Sequence, residues 1–387
     1  MQMTPLEAIE NLKNQPVLVL GDMIADIYLY GTIARISREA PVLVLEQASE
    51  KIVAGGAANV INNGATLGGR IFAAGLVGDD SAAKGLANIL QAKGVDVTGF
   101  VKDADRATIS KTRIVAGGRT TVSQQIVRVD KETKAPMGVA QERALEAYLK
   151  KVLPQVRGVV LSDYGSGTIT DKLLGQIFAY CQANHIPTIV DSRYDILRFR
   201  TVDYIKQNDA ELAAAIKREL ATEDELVLGG CELLTKMAAK GALITRGEDG
   251  MSLFQRLSSQ EAEAYISVHR TGEQNTFVVA VDGLAVQATA NLQTGKLTVR
   301  QLLLDYQGED ILVSHIPVTD KSEVYDVSGA GDTCVATVIL ALAAGIEPLL
   351  ASQLSNEASG IAVRKMGTSV VYAKELAERF RQLGYES

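Results

Sequence analysis

Apolar residues fall into two rhythms along this chain. Short, mainly apolar runs at 17–20, 158–162, 187–190 and 242–245, and a short strand-like stretch at 204–207, are bounded by glycine, asparagine, arginine or acidic residues. They read as buried strands. Apolar positions at helical spacing predict helices over 141–152, 171–184, 211–220 and about 224–240. Upstream, Thr4 and Pro5 cap a helix bearing Leu6, Ile9 and Leu12, and helix 57–67, strand 70–77 and helix 81–92 follow. Strand-helix alternation of this kind predicts a mostly parallel sheet with helices on both faces.

Two stretches break the rhythm. Strand-like runs at 42–46, 108–115 and 122–129 alternate and lack the surrounding helices of βαβ units, so residues 28–54 and 107–130 read as a small separate sheet, a lid, or else as decoration of the main sheet. Residues 255–310 carry a helix-like piece at 259–264, strand-like runs at 277–281, 284–289 and 296–299, and a turn at Thr294-Gly295. A compact fold does not carry so long a structureless loop, so this is expected to be a β-rich inserted subdomain or partner surface. Helices at 333–344, 346–363 and 373–383 close the chain.

Composition narrows the class. The chain has 387 residues, 47% hydrophobic and 22% charged, which suits one large globular domain. A net charge of −7 without a Lys/Arg-rich run argues against nucleic-acid partners. No run reaches membrane-spanning length and no signal pattern is seen, so the expected location is the cytoplasm. Cys181, Cys231 and Cys334 are too scattered for a disulfide framework or metal cluster.

Chemistry concentrates at Asp326-Val327-Ser328-Gly329-Ala330-Gly331-Asp332-Thr333. Small residues here run into an apolar helix, whose free N–H groups and dipole would make an anion site. Asp332 would be kept ionised in that electropositive mouth and could take a proton from an attacking hydroxyl. The other reading is an ordinary first-turn carboxylate. Several strands end in polar residues, and such ends share one edge of the sheet. Asp22 and Asp26 are candidates to grip a polyol, unless Asp22 only caps its turn. Gly55-Gly56 with Asn59 opens a helix, either to let a ligand near or for packing. Asn208 and Glu211, three apart, could hold Mg²⁺ directly or through water, or form a capping box. In 245–250, Arg246 could contact phosphate, or the turn is a plain hairpin.

Taken together these motifs resemble the ribokinase-type (PfkB-type) sugar kinases, from near residue 17 to near residue 380, the insert excepted. Within them the chain is most similar to bacterial D-glycero-D-manno-heptose 7-phosphate kinases, through Gly21-Asp22, Arg35-Ile36-Ser37, Glu39-Ala40-Pro41, Leu161-Ser162-Asp163-Tyr164, Gly250-Met251-Ser252-Leu253 and Gly367-Thr368-Ser369. The family's Asp-Pro-Lys and Thr-Pro-Asn become Asp191-Ser192-Arg193 and Lys206-Gln207-Asn208.

The resemblance implies a single ribokinase-like α/β domain, a three-layer sandwich with a small β lid. It implies transfer of a phosphoryl group from ATP, with Mg²⁺, to the anomeric hydroxyl of a sugar phosphate on the route to ADP-heptose. Asp332 would be the base, and Gly329, Ala330 and Gly331 the anion hole. Asp26, Gly55, Gly56 and Asn59 would hold the sugar, with Lys111, Arg113 and Arg128 as candidates for its phosphate. Asn208, Arg193, Thr245, Gly247 and Asn356 would meet the nucleotide, and Glu211 the metal. A homodimer built on the lid is expected. Bifunctional relatives carry a second domain with a His-x-Gly-His motif; none is found here, so the kinase alone is expected. The competing expectations are another sugar, sugar-phosphate or nucleoside kinase of this fold, or a non-catalytic sugar or nucleotide sensor.

Overall fold

Val17, Leu18, Val19 and Leu20 are all buried, yet they serve two cores. Val17 and Val19 join one apolar cluster, Leu18 and Leu20 another. Successive side chains of a strand leave on opposite faces, so this strand, β1 (Pro16–Gly21), is the middle of three layers. In the computed structural model, residues 3–117, 123–269, 284–294, 297–320 and 324–385 are described.

Helix α1 (Pro5–Asn11) precedes β1. After it come β2 (Met23–Ile36), β3 (Leu43–Gly56), α2 (Ala57–Thr66), β4 (Arg70–Val77), α3 (Ser81–Gln91), β5 (Asp96–Lys102), β6 (Ile109–Gly117) and β7 (Gln124–Lys131). The middle of the chain is α4 (Val139–Val152), β8 (Gly158–Asp163), α5 (Asp171–Ala183), β9 (Thr188–Ser192), β10 (Tyr204–Asn208), α6 (Asp209–Ile216), α7 (Glu223–Met237), β11 (Gly241–Thr245) and β12 (Met251–Arg256). It ends with α8 (Ser259–His269), β13 (Ala285–Thr294), β14 (Leu297–Tyr306), β15 (Glu309–Ile316), α9 (Ala330–Ala343), α10 (Pro348–Ala362) and α11 (Ala373–Gln382).

The large sheet runs β13-β14-β15-β12-β11-β10-β9-β8-β1-β4-β5. From β11 to β5 every neighbour pair is parallel. The polar residues after β1, β8, β9, β10 and β11 therefore emerge along one edge. Beyond β11 the pairs are antiparallel.

The insert is β-rich, but its described strands make no sheet of their own. Strand β14 pairs with β15 and extends the large sheet, while Ala262 of α8 packs on Ala288, Leu303 and Leu312. An edge of backbone N–H and C=O groups is a ready template for added strands, which is why the inserted hairpin continues the sheet. The run expected at 277–281, like Gly295, lies outside the described residues.

A second sheet runs β3-β2-β6-β7. Only Asp22 separates β1 from β2, so the chain passes from one sheet to the other without a loop. That crossing is clamped. The N–H of Asp22 donates to the Ser162 carbonyl at 3.1 Å, and the N–H of Ala57 donates to the Asp22 carbonyl at 3.1 Å. The Asp22 carboxylate accepts from the N–H groups of Tyr164 (2.8 Å) and Ser166 (3.2 Å). Asp22 is fully buried and is closed to a polyol, so its turn-holding reading is the one realised. Ile36, Val42, Leu43, Val127 and Val129 of this small sheet and its connection are exposed. Among the described residues no helix is long and apolar enough to cross a membrane.

Helix α7 sits close on β12 through Gly230, where an added Cβ would stand 2.2 Å from the Phe254 ring. Gly230→Ala should overpack that contact and lower stability by about 1–3 kcal/mol, read as a lower denaturant midpoint.

Candidate active site

Parallel pairing aligns the strand ends. Ser162 faces Gly21 and Asp191, Lys206 faces Asp191, and Asn208 faces Thr245. Helix α9 starts at the same edge, behind Gly329. That residue has φ +84°, and a Cβ there would stand 2.6 Å from the Asn59 amide nitrogen. Glycine is therefore needed both for the left-handed turn and for the close approach.

Asp332 lies in the first turn of α9 and is 7% exposed. Its Oδ2 accepts from Asn59 Nδ2 at 2.8 Å, and its Oδ1 from the Tyr164 hydroxyl at 3.2 Å. Asn59 is itself held, because Asn63 Nδ2 donates to its Oδ1 at 3.2 Å. A cavity of about 110 Å³ opens beside Asp332, lined by Gly329, Gly331, Tyr164, Arg193, Lys206, Glu211, Asp163 and Asp191.

The ionisation expected of Asp332 is corrected. Burial raises its pKa to about 7; Asn59, Lys206 and Tyr164 pull it down, and Asp191 pushes it up. The helix dipole argument had counted attraction and neglected lost water, which outweighs it here. A carboxyl poised near neutrality suits a general base better than a fully ionised one.

Several of the other candidates gather around Asp332. Gly329, Gly331, Arg193 and Glu211 line its cavity. Ala330 does not, and its N–H donates to the Val327 carbonyl at 3.4 Å, so it is not a free donor of the anion hole. Asn208 and Glu211 form a reciprocal capping box, Glu211 N–H to Asn208 Oδ1 at 2.7 Å and Asn208 N–H to Glu211 Oε2 at 2.9 Å. The cap reading is thus realised, and it turns Glu211 into the cavity wall, where burial raises its pKa. Among the described residues, no group of three or more acidic, histidine or cysteine side chains could cage a metal. Mg²⁺ needs no such cage, since one or two carboxylates, waters and substrate phosphates suffice, and Glu211 fits that part.

On the side of the small sheet, Asp26 is 6% exposed and pairs with Arg113 at 2.5 Å. A Cβ on Gly55 would stand 2.3 Å from Asp26 Oδ2, and Gly56 has φ +53°, so both positions demand glycine. Lys111 sits 5.7 Å from the centre of the Tyr164 ring. Arg128 faces Arg113 across the strands but gives its Nε and Nη2 hydrogens to Asp130.

The remaining candidates stand apart from the cavity. Thr245 donates to the Gln207 carbonyl at 3.4 Å, and Asn356 to the Pro317 carbonyl at 2.9 Å. Gly247 has φ +55° with open space around it. Residues 245–250 form a hairpin turn, Thr245 facing Met251, and Arg246 pairs with Glu223. The structure also brings in Tyr164 and Lys206, which had no assigned role. Their signal was present, since both stand at or just past the ends of expected strands.

A model of the pfkB family of carbohydrate kinases matches residues 14–271. The chain belongs to this family. It is 35% identical to the bifunctional protein HldE of Geobacter metallireducens over 360 residues, covering 93% of this chain and 61% of that protein. HldE of Geobacter sulfurreducens is 34% identical over the same shares. The chain thus spans about three fifths of the length of these relatives. Among solved structures, it resembles Arabidopsis thaliana ribokinase complexed with ribose and ATP, with TM-score 0.62 and 17% identity over 96% of this chain and 100% of that one. It also resembles Escherichia coli phosphofructokinase-2 in complex with substrates and products, with TM-score 0.64 and 17% identity over the same shares. At these identities the likeness is one of fold.

Asp332 predicts a stability effect. Its folded pKa of about 7 lies above the unfolded value near 3.9, so stability falls as pH rises from about 4 to 7. Asp332→Asn should relieve this cost, by on the order of 4 kcal/mol near pH 8 and on the order of 1–2 kcal/mol near pH 5. Chemical denaturation at the two pH values reads the difference.

Proposed function

We propose that this chain transfers the terminal phosphoryl group of ATP to the anomeric hydroxyl of D-glycero-D-manno-heptose 7-phosphate, giving ADP and heptose 1,7-bisphosphate for ADP-heptose synthesis. The observation that carries the reading is Asp332, a buried carboxyl poised near neutrality and facing a phosphoryl-sized cavity at a helix N-terminus. Family membership and the HldE relatives support the substrate class.

In this reading, Asp332 takes the proton of the attacking hydroxyl. The N–H groups of Gly329 and Gly331 receive charge from the moving phosphoryl group, aided by the positive end of the α9 dipole. Glu211, oriented by its capping box with Asn208, would hold Mg²⁺ directly or through water. When bound, the metal neutralises charge on the donor phosphates. Asp26, Gly55, Gly56 and Asn59 hold the sugar, with Asn59 also fixing the Asp332 carboxylate. Lys111 and Arg113 meet the sugar's own phosphate, joined by Arg128 once it turns from Asp130. Arg193 reaches the donor phosphates, while Thr245, Gly247 and Asn356 border the nucleoside end. The exposed apolar residues of the small sheet support a homodimer formed through it. The cytoplasm, which supplies ATP and keeps thiols reduced, is the proposed compartment.

An acceptor panel with coupled detection of ADP tests the reading. Heptose 7-phosphate should turn over and ribose should not; the reverse result refutes the substrate. Asp332→Asn should lower kcat by about 10²–10⁴-fold with little change in ATP affinity. Because a base must be unprotonated, kcat/KM should fall tenfold per unit below about pH 7, matching the carboxyl's value. A flat profile from about pH 5 to 8 would remove Asp332 from the role of base.

A further inference from the structure

We propose that Lys206 is a further catalytic residue, a buried ammonium that contacts the terminal phosphate of the donor beneath the Gly329–Gly331 loop. The proposal rests on the kinase reading above and adds a residue to it. Lys206 is 5% exposed, and an ammonium stripped of water survives only against a partner. That partner is Asp191, with Nζ 3.0 Å from Oδ2. The sheet builds the pair, because Lys206 stands opposite Asp191 in the parallel register of β9 and β10. Stability alone gives little reason for it, since apolar residues can replace a buried ion pair at no loss.

The surroundings of Nζ point to a ligand. A Cβ on Gly331 would stand 2.6 Å from it, so a glycine there lets the first turn of α9 come close to the ammonium. Lys206, Gly331 and Asp332 share the 110 Å³ cavity, which lies well below the roughly 300 Å³ at which small-molecule pockets begin. It suits the phosphoryl end of a larger ligand. An ammonium has three N–H donors. Among the described residues, its one hydrogen bond goes to Asp191, which leaves the others to face the cavity.

Charge balance leads to the same place. The cavity walls carry four carboxyl groups, on Asp163, Asp191, Glu211 and Asp332, and two cations, on Arg193 and Lys206. Without Lys206, one arginine would face four acids, so this lysine supplies half of the positive charge that the walls offer a phosphate. Burial draws the lysine's pKa down, but Asp191 and Glu211 raise it further, so the ammonium stays charged.

The test compares Lys206→Met combined with Asp191→Asn, which leaves no unpaired carboxylate of the pair, against Asp191→Asn alone, which keeps the lysine beside Glu211 and, once nucleotide is bound, its phosphates. The double variant should lose about 10²–10³-fold in kcat, the scale for losing one charge-stabilising donor, with KM for the sugar phosphate within about threefold. The single variant should lose no more than about tenfold. Calorimetric titration should show the preference for ATP over AMP falling about tenfold in the double variant. A double variant with kcat within about threefold of the unmodified protein, or with its ATP-over-AMP preference unchanged, overturns the proposal. Should the unmodified protein release no ADP with any sugar phosphate, the kinase reading fails by itself, and the ATP and AMP titrations still decide the role of Lys206.

Discussion

The hydrogen bond from Asn59 to Asp332 joins residues 273 positions apart and holds a carboxyl group where water is scarce. Much of the surrounding construction serves to keep that bond in place. Asn59 comes from α2 and Asp332 from α9, and both helices pack on the face of β1 that carries Val17 and Val19. A sheet buried on two sides gives these helices a fixed floor. Asn63 steadies the amide from below, and Tyr164 approaches the carboxylate from the end of β8. A buried polar group of this sort is tolerable only when its partners are held in position.

Charged groups recur in the interior of this edge, and glycine recurs beside them. Asp26 with Arg113 lies against Gly55, and Lys206 with Asp191 lies against Gly331. In each case a methyl group at the glycine would occupy the space of a charged atom. These glycines are therefore explained by the ions beside them as well as by their loops. Such an arrangement trades packing density for electrostatics, and it is confined to the strand ends. Elsewhere, the residues of β1, β4 and β8 that face the helices are mostly apolar and closed to solvent.

How much of this was legible in the sequence depended on whether a feature is local. Parallel strands buried on both faces leave apolar runs, so β1, β4, β8 and β11 could be read directly. The capping box at Asn208 and Glu211 was also legible, because its partners are three residues apart. Strand β5 was not, since Asp96–Lys102 is an edge strand of mixed exposure interrupted by Gly99. Strand β12 was hidden within a stretch read as a turn and an insert. The joining of the insert to the large sheet depends on a pairing between β14 and β15 that no spacing encodes. Least legible was the protonation of Asp332. It is set by the loss of water and by Asn59, Asp191, Lys206 and Tyr164, none of them near it in the chain.

The single-residue crossing at Asp22 makes the small sheet a lever. One end of that residue's backbone is bound to the strand leading to Tyr164, the other to the first residue of the helix carrying Asn59. Its carboxylate grips the Tyr164 backbone as well. A displacement of the small sheet at this residue would therefore reach the supports of both oxygens of Asp332 at once. The seating of the small sheet and the surroundings of the buried carboxyl thus share one anchor.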